Sequence, residues 1–424
     1  MTLLFSLRSA ALLVAVALPL ASGCSAEEQG AAHPTDRLDF PVAVTADPGG
    51  RIVWVTSGNF DLAWRGGAVL AIDVATHRFV PEAAFEVGSF PGPLTLLTRD
   101  GRAVAGYVLS REEDALYHVS LSGPAHAPEV SCAGGRRGAG SGATILHCAA
   151  SEAITSRKVS RDDETVELVV GPDPVTSVVR ASRAQSEPDL LLTGAMVDGN
   201  VASFTLDEAG APTLVGNLDL LSGLFAFAER PSDGRIYASN KLTNALQILD
   251  LVHADPDVEP DLTNPWLALA GQVIIPDAIG TDRARDIGVS GDGTRLYATY
   301  RSPDTLLIVD ISADATGSTA NRVIAKVPLA RDPGDLEVVP SADGSELVYV
   351  ACYGADRVEV IDPARAVVVD GVATGAGPYG LAFVDNPSLG VRRLYVAQFN
   401  ADSVGVIELD PASPYYHTEV AEIR

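Results

Sequence analysis

Two aspartates stand at matching places in consecutive repeats of this sequence, where most other repeats carry an uncharged residue. Asp286 and Asp335 each precede a short apolar segment, and the next repeat has Gly380 at this place. Carboxyl groups that lie close together can bind a cation, or serve as a general acid and a general base. Arg285 and Arg331 are near them in sequence, so arginines that neutralise the pair are the purely structural alternative. In the other repeats, the residues predicted at this place are Gly223, Thr176, Pro93 and Pro41.

No motif of a known catalytic type accompanies these aspartates. The sequence contains no G-x-S-x-G nucleophile elbow, no phosphate-binding P-loop, no C-x-x-C-H haem site and no H-E-x-x-H zinc site. The seven histidines do not recur at a matching repeat position. No cofactor is therefore evident, although carboxylate oxygens at the aspartates would suit calcium. The sequence favours a binding protein over an enzyme.

The aspartates belong to a repeat of short strands. An aromatic or large apolar residue lies nine positions before the first apolar residue of the next strand, as Tyr349 does before Val358. A Gly-containing turn and another strand precede most copies, and a fourth strand follows. Four strands per unit and almost no helical pattern predict an all-β propeller of antiparallel blades. The copies begin at Trp54 (with a longer turn), Tyr107, Leu192, Tyr237, Tyr297, Tyr349 and Tyr395.

One interval in the repeat is nearly twice the usual length. The third strand of the second copy begins near Leu116, and the equivalent residue of the next copy is Val201, 85 residues later. An insertion in the second blade, over about 122–162, gives a seven-bladed propeller that covers residues 38–424. A degenerate blade in the same stretch would instead give eight blades.

Two cysteines flank a glycine-rich part of this interval. Cys132 and Cys148 lie on either side of residues 134–142, and a disulfide that closes the hairpin is the natural pairing. Metal ligation is the alternative, but no neighbouring His or Cys has the spacing of a zinc site.

The best-preserved repeats resemble a known family. The segments Tyr349-Val350-Ala351 and Tyr395-Val396-Ala397, each followed by Asp-x-Val-x-Val-Ile, resemble the YVTN-type β-propeller repeat, most strongly over residues 284–410. The resemblance implies an exported or cell-surface protein of bacteria or archaea, and it implies a fold more than a function. Related propellers that hydrolyse lactones use carboxylates and a cation at the channel mouth. A lactonase-like hydrolase with a cation there is therefore the enzyme alternative.

The propeller fold would bring the candidate residues to one face. In each blade, the connection into the innermost strand and the turn between the second and third strands lie on the same side. The two aspartates are therefore predicted at one mouth of the central channel. The side chains predicted around them are Arg285, Arg331, Tyr353 and Phe399, and Lys241 and Arg301 occupy equivalent turns.

The N-terminus carries an export signal. Arg8 precedes an apolar run over residues 10–20, which is too short for a membrane span and typical of a signal peptide, residues 1–23. Ala21-Ser22-Gly23-Cys24 resembles the bacterial lipobox, which implies acylation of Cys24; ordinary cleavage is the alternative. Residues 24–37 would then form a flexible, lipidated tether. Ser25 favours the outer membrane over the inner one.

The charge composition of the chain limits the kinds of partner that it can bind. The chain has a formal net charge of −25 and a sequence pI near 4.5. Phosphate backbones require basic surfaces, so a nucleic-acid partner is excluded. The sequence thus predicts an extracytoplasmic, lipid-anchored monomer that acts as a binding or scaffold module. Its protein or small-molecule partner is not encoded in any motif.

Overall fold

The computed structural model describes residues 30–137, 144–161, 164–183, 187–251, 266–276, 284–314 and 319–424. The helices in these ranges are single 3₁₀ turns at Pro81–Ala83, Ala150–Glu152, Tyr353–Ala355 and Phe399–Ala401. None of the described helices is long and apolar enough to cross a membrane. The predicted signal peptide and Cys24 lie outside the described residues.

The first sheet is assembled from two parts of the chain. It begins with β1 (Pro41–Ala46), β2 (Ile52–Ser57) and β3 (Gly67–Asp73), and both β4 (Arg78–Phe79) and β5 (Phe85–Val87) pair with β3. The second sheet has four antiparallel strands, which are β6 (Thr95–Arg99), β7 (Arg102–Ser110), β8 (Ala115–Ser122) and β9 (Glu129–Ser131).

The chain then leaves this regular order. After β9, β10 (Arg136–Arg137) and β11 (Leu146–His147) extend the first sheet, because β11 pairs in parallel with β5. A separate hairpin follows, made of β12 (Ser156–Arg161) and β13 (Glu164–Val169).

Five further antiparallel sheets follow, each with four strands in chain order. They are β14 (Pro174–Arg180), β15 (Asp189–Ala195), β16 (Asn200–Leu206), β17 (Pro212–Asp219); β18 (Leu224–Glu229), β19 (Ile236–Asn240), β20 (Ala245–Leu251), β21 (Leu267–Ile274); β22 (Ala284–Val289), β23 (Arg295–Tyr300), β24 (Thr305–Asp310), β25 (Arg322–Pro328); β26 (Pro333–Pro340), β27 (Glu346–Cys352), β28 (Arg357–Asp362), β29 (Val367–Ala373); and β30 (Pro378–Asn386), β31 (Val391–Gln398), β32 (Ser403–Glu408), β33 (Glu419–Ile423).

The first strands of the sheets form a closed ring. Each of β14, β18, β22 and β26 contacts the first strand of the next sheet, and β30 contacts β1. On the remaining side, the Thr45 hydroxyl donates to the Leu94 carbonyl oxygen over 2.9 Å, and the Thr95 and Ser177 hydroxyls are 2.7 Å apart. Sheets arranged radially around such a ring make a β-propeller, as predicted from the repeat.

Burial explains why the second and third strands read as continuous apolar runs. Every residue of β2 and β3 is buried, because each sheet packs between two neighbours and both of its faces face a core. The repeated tyrosines that mark these strands are almost fully buried: Tyr107, Tyr237, Tyr297, Tyr349 and Tyr395. Most residues of the outermost strand β29 are exposed.

The described excursion differs from its predicted bounds. The turn at Gly123, where φ is +82°, returns the chain as β9, which pairs with β8. The excursion therefore runs from Cys132 to Val169 rather than over residues 122–162. The predicted disulfide between Cys132 and Cys148 is present, with its Cα atoms 5.8 Å apart. No described four-stranded sheet lies between β9 and β14, so the eight-blade alternative is wrong.

The chain from Ala31 onward is packed and is not a flexible tether. Ala31 forms a β-bridge with Trp64, and His33 is only 2% exposed. The His33 backbone N–H donates to the buried Glu86 carboxylate, to which Arg65 also donates. A buried carboxylate requires such donors, and this requirement holds the segment against the first sheet.

Candidate functional site

A β-bulge in the inner strands determines which residues are equivalent around the ring. The pairing shifts register between Ala284 and Ile287 in β22, between Pro333 and Leu336 in β26, and likewise in other inner strands. Asp286 and Asp335 lie inside this irregularity, two residues after the paired Ala284 and Pro333. In the other sheets, the residues two positions after the corresponding paired residue are Ala43, Pro93, Thr176, Ala226 and Gly380. Gly223 and Pro41, the residues predicted from the sequence, are three and two positions too early.

The structure brings Asp286 and Asp335 together at one mouth of the channel. Their side chains hydrogen-bond each other. Asp286 Oδ2 accepts the Leu336 N–H of the neighbouring sheet over 3.0 Å, and Asp335 Oδ2 accepts the Leu381 N–H of the sheet after that over 2.6 Å. Each carboxyl group therefore links its own inner strand to the next one. A direct hydrogen bond between two carboxyl groups requires that one of them carry a proton.

The surroundings favour that proton. Burial raises the pKa of Asp286, and burial together with the Asp286 charge raises the pKa of Asp335 well above its ordinary value. A third carboxyl group lies two residues along β26 from Asp335. Burial and the Asp286 charge raise the pKa of Glu337 to about 8, although a hydrogen bond from the Phe383 amide opposes this shift. Glu337 is thus a third buried carboxyl group, close enough to the pair to be affected by the Asp286 charge.

The carboxyl pair forms part of the lining of a funnel with a volume of about 370 Å³. Four cationic side chains line the same funnel: Arg111, Lys241, Arg285 and Arg301. The Arg285 guanidinium lies 5.0 Å from the ring centroid of Phe225, and the Lys241 ammonium lies 5.7 Å from it. Arg301 Nε donates to the Pro333 carbonyl oxygen over 3.0 Å. The funnel is therefore rich in positive charge although the chain as a whole is acidic.

Aromatic side chains form another part of the funnel lining. Phe60, Phe90, Tyr353 and Tyr379 are among the residues that line it. Phe399 packs against this group, with ring centroids 5.3 Å from Phe60 and 5.7 Å from Tyr379. Phe60 and Tyr379 are 41% and 40% exposed, so their rings are open to a ligand.

The predicted residues do not all reach the funnel. Asp286, Asp335, Arg285 and Tyr353 line it, and Phe399 supports the aromatic side from behind. Arg331 does not line it. Its side chain is 74% exposed, donates to the Gly354 carbonyl oxygen, and lies 3.8 Å from the Asp332 carboxylate. The structure thus places Arg331 outside the funnel lining, because proximity in sequence does not fix the direction of a loop side chain.

Several residues in or beside the funnel were missed or left unassigned at the sequence level. Glu337 follows Asp335 at the alternating position of the same strand, a spacing that places two side chains on one side of a strand. Arg111, Phe60 and Phe90 belong to the first two sheets, where the repeat is least regular. Tyr379 directly precedes Gly380, which the repeat did identify.

The donor set suits an anion better than a cation. No group of three or more His, Cys, Asp or Glu residues with metal-binding geometry occurs among the described residues. The carboxyl oxygens of Asp286 and Asp335 already accept backbone N–H groups, and four cationic side chains stand on the same funnel. Positive charge lowers the affinity for calcium at this place and raises that for a negatively charged ligand.

Comparisons with known proteins identify the fold. No family model and no curated protein sequence matches the chain. Among solved structures, the periplasmic gluconolactonase of Pseudomonas aeruginosa superposes with a TM-score of 0.58 at 16% identity, covering 90% of this chain and 95% of that one. Sqt1 from Chaetomium thermophilum superposes with a TM-score of 0.55 at 15% identity, covering 92% and 89%.

A third solved structure, a protein described as a putative 6-phosphogluconolactonase of Bacteroides fragilis, superposes with a TM-score of 0.52 at 17% identity, covering 82% and 88%. At these identities the likeness concerns the fold alone. The chain is a β-propeller with four-stranded antiparallel blades.

Proposed function

We propose that this propeller binds a small organic anion in the funnel. The observation that carries the proposal is the cluster of Arg111, Lys241, Arg285 and Arg301 on one cavity of a chain with a net charge of −25. Cations gathered in a concave, partly desolvated site raise the local concentration of an anion and hold it more strongly than the same charges on an open surface.

The volume of the funnel and its aromatic side chains limit the class of ligand that it can bind. A volume of about 370 Å³ lies at the small end of the range for ligand sites. The exposed rings of Phe60 and Tyr379 offer flat apolar surfaces in the same funnel. A sugar acid or a similar compact hydroxy acid matches both parts of the lining. Its anionic group can contact the cations while its carbon skeleton packs on the aromatic rings.

A hydrolase acting on lactones is the second candidate. Two of the solved structures with this fold are described as lactonases, and the funnel holds a carboxyl pair that shares a proton. Asp286 would act as the base toward water, and protonated Asp335 would donate to the leaving oxygen. Hydrolysis of a lactone produces a hydroxy acid, which the cationic side would then retain.

The experiment compares a set of anions with a neutral lactone. We expect D-gluconate, 6-phosphogluconate or citrate to raise the melting temperature of the soluble domain. Arg285→Gln should weaken the response by about tenfold in affinity. Arg331→Gln is the matched control, because its side chain points away from the funnel.

The outcomes separate the candidates. Turnover of δ-gluconolactone that Asp335→Asn abolishes would establish the hydrolase, whereas anion binding without turnover would establish the binding protein. If none of these anions stabilises the domain while calcium does, and Asp335→Ala removes the calcium response, the site is a cation site and the anion proposal is wrong.

We further infer that the propeller has seven blades and that its repeats are of the YVTN type. Strands β1, β2 and β3, completed by β5, have the same order as the four strands of each other sheet, and β1 occupies its place in the inner ring. In the ring, this sheet lies between the sheet that begins with β30 and the sheet that begins with β6. An experimental structure of the domain tests the count directly.

We also propose that Cys24 is acylated and anchors the protein on the outer side of the cytoplasmic membrane or in the outer membrane. The lipobox-like segment before Cys24 supports this localisation. Cys24→Ser should release the protein into the soluble fraction. A Cys24→Ser protein that stays with the membrane after a carbonate wash would contradict the proposal.

A further inference from the structure

We propose that an anion entering the funnel binds together with one proton, which the Asp286–Asp335 pair takes up. The inference rests on the proposed function, since it concerns how the same funnel accepts its ligand. It makes occupancy of the funnel depend on pH.

The geometry of the pair sets the requirement for a proton. Asp286 and Asp335 line the cavity itself, so a bound anion lies close to both carboxyl groups. With no shared proton, the two carboxylates would repel each other and also the ligand, in a place with little water to screen them. With a shared proton the pair carries a single negative charge and retains its internal hydrogen bond. The amides of Leu336 and Leu381 stabilise that remaining charge.

The charged groups around the pair come from few elements. On its own strand, Arg285 precedes Asp286, and from neighbouring turns Arg301 and Lys241 face the same cavity. Arg111 lies across the funnel, where Asp173 accepts its guanidinium hydrogen bonds. The strands on the other sides present uncharged residues to the funnel: Val42, Ala43, Pro93, Thr176, Phe225, Tyr379 and Leu381.

These charges explain why ligand binding makes the Asp286–Asp335 pair take up a proton. Without a ligand, burial and the repulsion between the two carboxylates raise the pKa of the pair, which is fully ionised only above that raised pKa. A bound anion brings further negative charge beside the pair, so the protonated form becomes still more favourable. By linkage, ligand and proton then strengthen each other's binding.

Glu337 belongs to a different part of the channel. It does not line the funnel, and its carboxylate accepts the Phe383 amide one step deeper than the pair. The Asp286 charge acts on it, but a ligand in the funnel is separated from it by the pair. A Glu337→Gln variant therefore keeps the pair and the funnel, and it serves as the matched control.

Titration calorimetry tests the inference with D-gluconate, 6-phosphogluconate and inorganic phosphate. Each titration is run at one pH in two buffers that differ in ionisation enthalpy, and the difference in observed heat gives the number of protons taken up. Wild type and Glu337→Gln should take up close to one proton per bound anion over part of the range from pH 6 to 9. Above the pH at which the pair loses its proton, affinity should fall by about tenfold per pH unit.

Substitution of the pair should abolish this dependence. Asp335→Asn keeps a hydrogen-bond donor at the same place without a titrating proton, so its anion affinity should be equal at pH 6 and pH 9. Asp286→Asn provides the second variant if Asp335→Asn does not fold. Wild-type binding without proton uptake, or uptake that survives in both variants, would overturn this inference alone. If none of the three anions binds at pH 6, the proposed function fails and the inference fails with it.

Discussion

Two parts of the inner ring differ in the side chains that they carry at equivalent backbone positions. At the irregular position, β22 and β26 carry Asp286 and Asp335, whereas the equivalent residues are Ala43 in β1 and Pro93 just before β6. Asp286 and Asp335 each accept an amide of the next sheet, whereas Ala43 and Pro93 offer no side-chain acceptor at the equivalent place. The ring therefore closes at the first two sheets without a carboxyl group at this position.

Placing an aspartate at the equivalent position of the next inner strand, β30, should have the largest effect on stability. In Gly380→Asp, the new Cβ would lie 2.8 Å from Ala43 Cα and 3.2 Å from the Val42 carbonyl oxygen, so β1 would have to move. We expect a loss of about 3 kcal/mol or more in the free energy of unfolding, measured by urea denaturation. Thr176→Asp is the control, because that position already accommodates a Cβ. An equal loss in both variants would contradict this account.

Neutralising the deepest carboxyl group should change how stability depends on pH. The raised pKa of Glu337 means that the folded protein binds this proton more tightly than the unfolded chain does. Stability is therefore lost as pH rises from about 4.5 to about 8. Relative to Glu337→Gln, wild type should lose about 2–4 kcal/mol over that range. Parallel profiles of unfolding free energy against pH for the two proteins would show that Glu337 is not responsible.

A buried hydroxyl joins the two strands that carry the aspartates. Thr299 Oγ1 accepts the Asp286 backbone N–H over 3.0 Å and donates to the Gly334 carbonyl oxygen over 2.6 Å. Thr299→Val leaves both backbone groups without this partner and should cost about 1–3 kcal/mol of unfolding free energy. Thr193→Val is the matched control, since the buried Thr193 hydroxyl hydrogen-bonds no described residue. Equal costs for the two variants would rule out a role for the Thr299 hydrogen bonds.

The smallest effect is expected from the arginine that does not line the funnel. Arg331→Gln should change the anion affinity by less than about 0.3 kcal/mol, because exposed charges outside the site are screened by solvent. Arg285→Gln in the same calorimetric assay should give the tenfold loss. A larger loss for Arg331→Gln would mean that the ligand extends out of the funnel toward Gly354.

The sequence allowed the propeller, the disulfide and the carboxyl pair to be predicted, each from a local pattern. Asp286 and Asp335 were recognisable because they interrupt a repeat at its most regular part. Bulges displace the register without leaving a residue signature, so Gly223 was predicted at the place that Ala226 occupies. The return of β11 to the first sheet rests on a parallel pairing of two residues, which no periodicity can reveal.

Side-chain direction was the other limit of prediction. Arg331 and Arg301 both lie in turns on the funnel face, and only contacts between sheets turn one outward and the other toward the cavity. Arg111 depends on a partner, Asp173, that is 62 residues away in sequence. Such long-range pairs are set by how neighbouring blades pack, and a single sequence does not encode them in any spacing.

The packed segment that begins at Ala31 limits how far the funnel can stand from a membrane. Ala31 pairs with Trp64 in the turn that also carries Phe60, so this packed segment lies at the rim of the funnel. Only six residues, 25–30, lie between Ala31 and the acylated Cys24 that we propose. Fully extended, six residues span about 20 Å. An anchored molecule would thus hold its open mouth toward the lipid surface, and its ligand would have to enter sideways through a gap of that height.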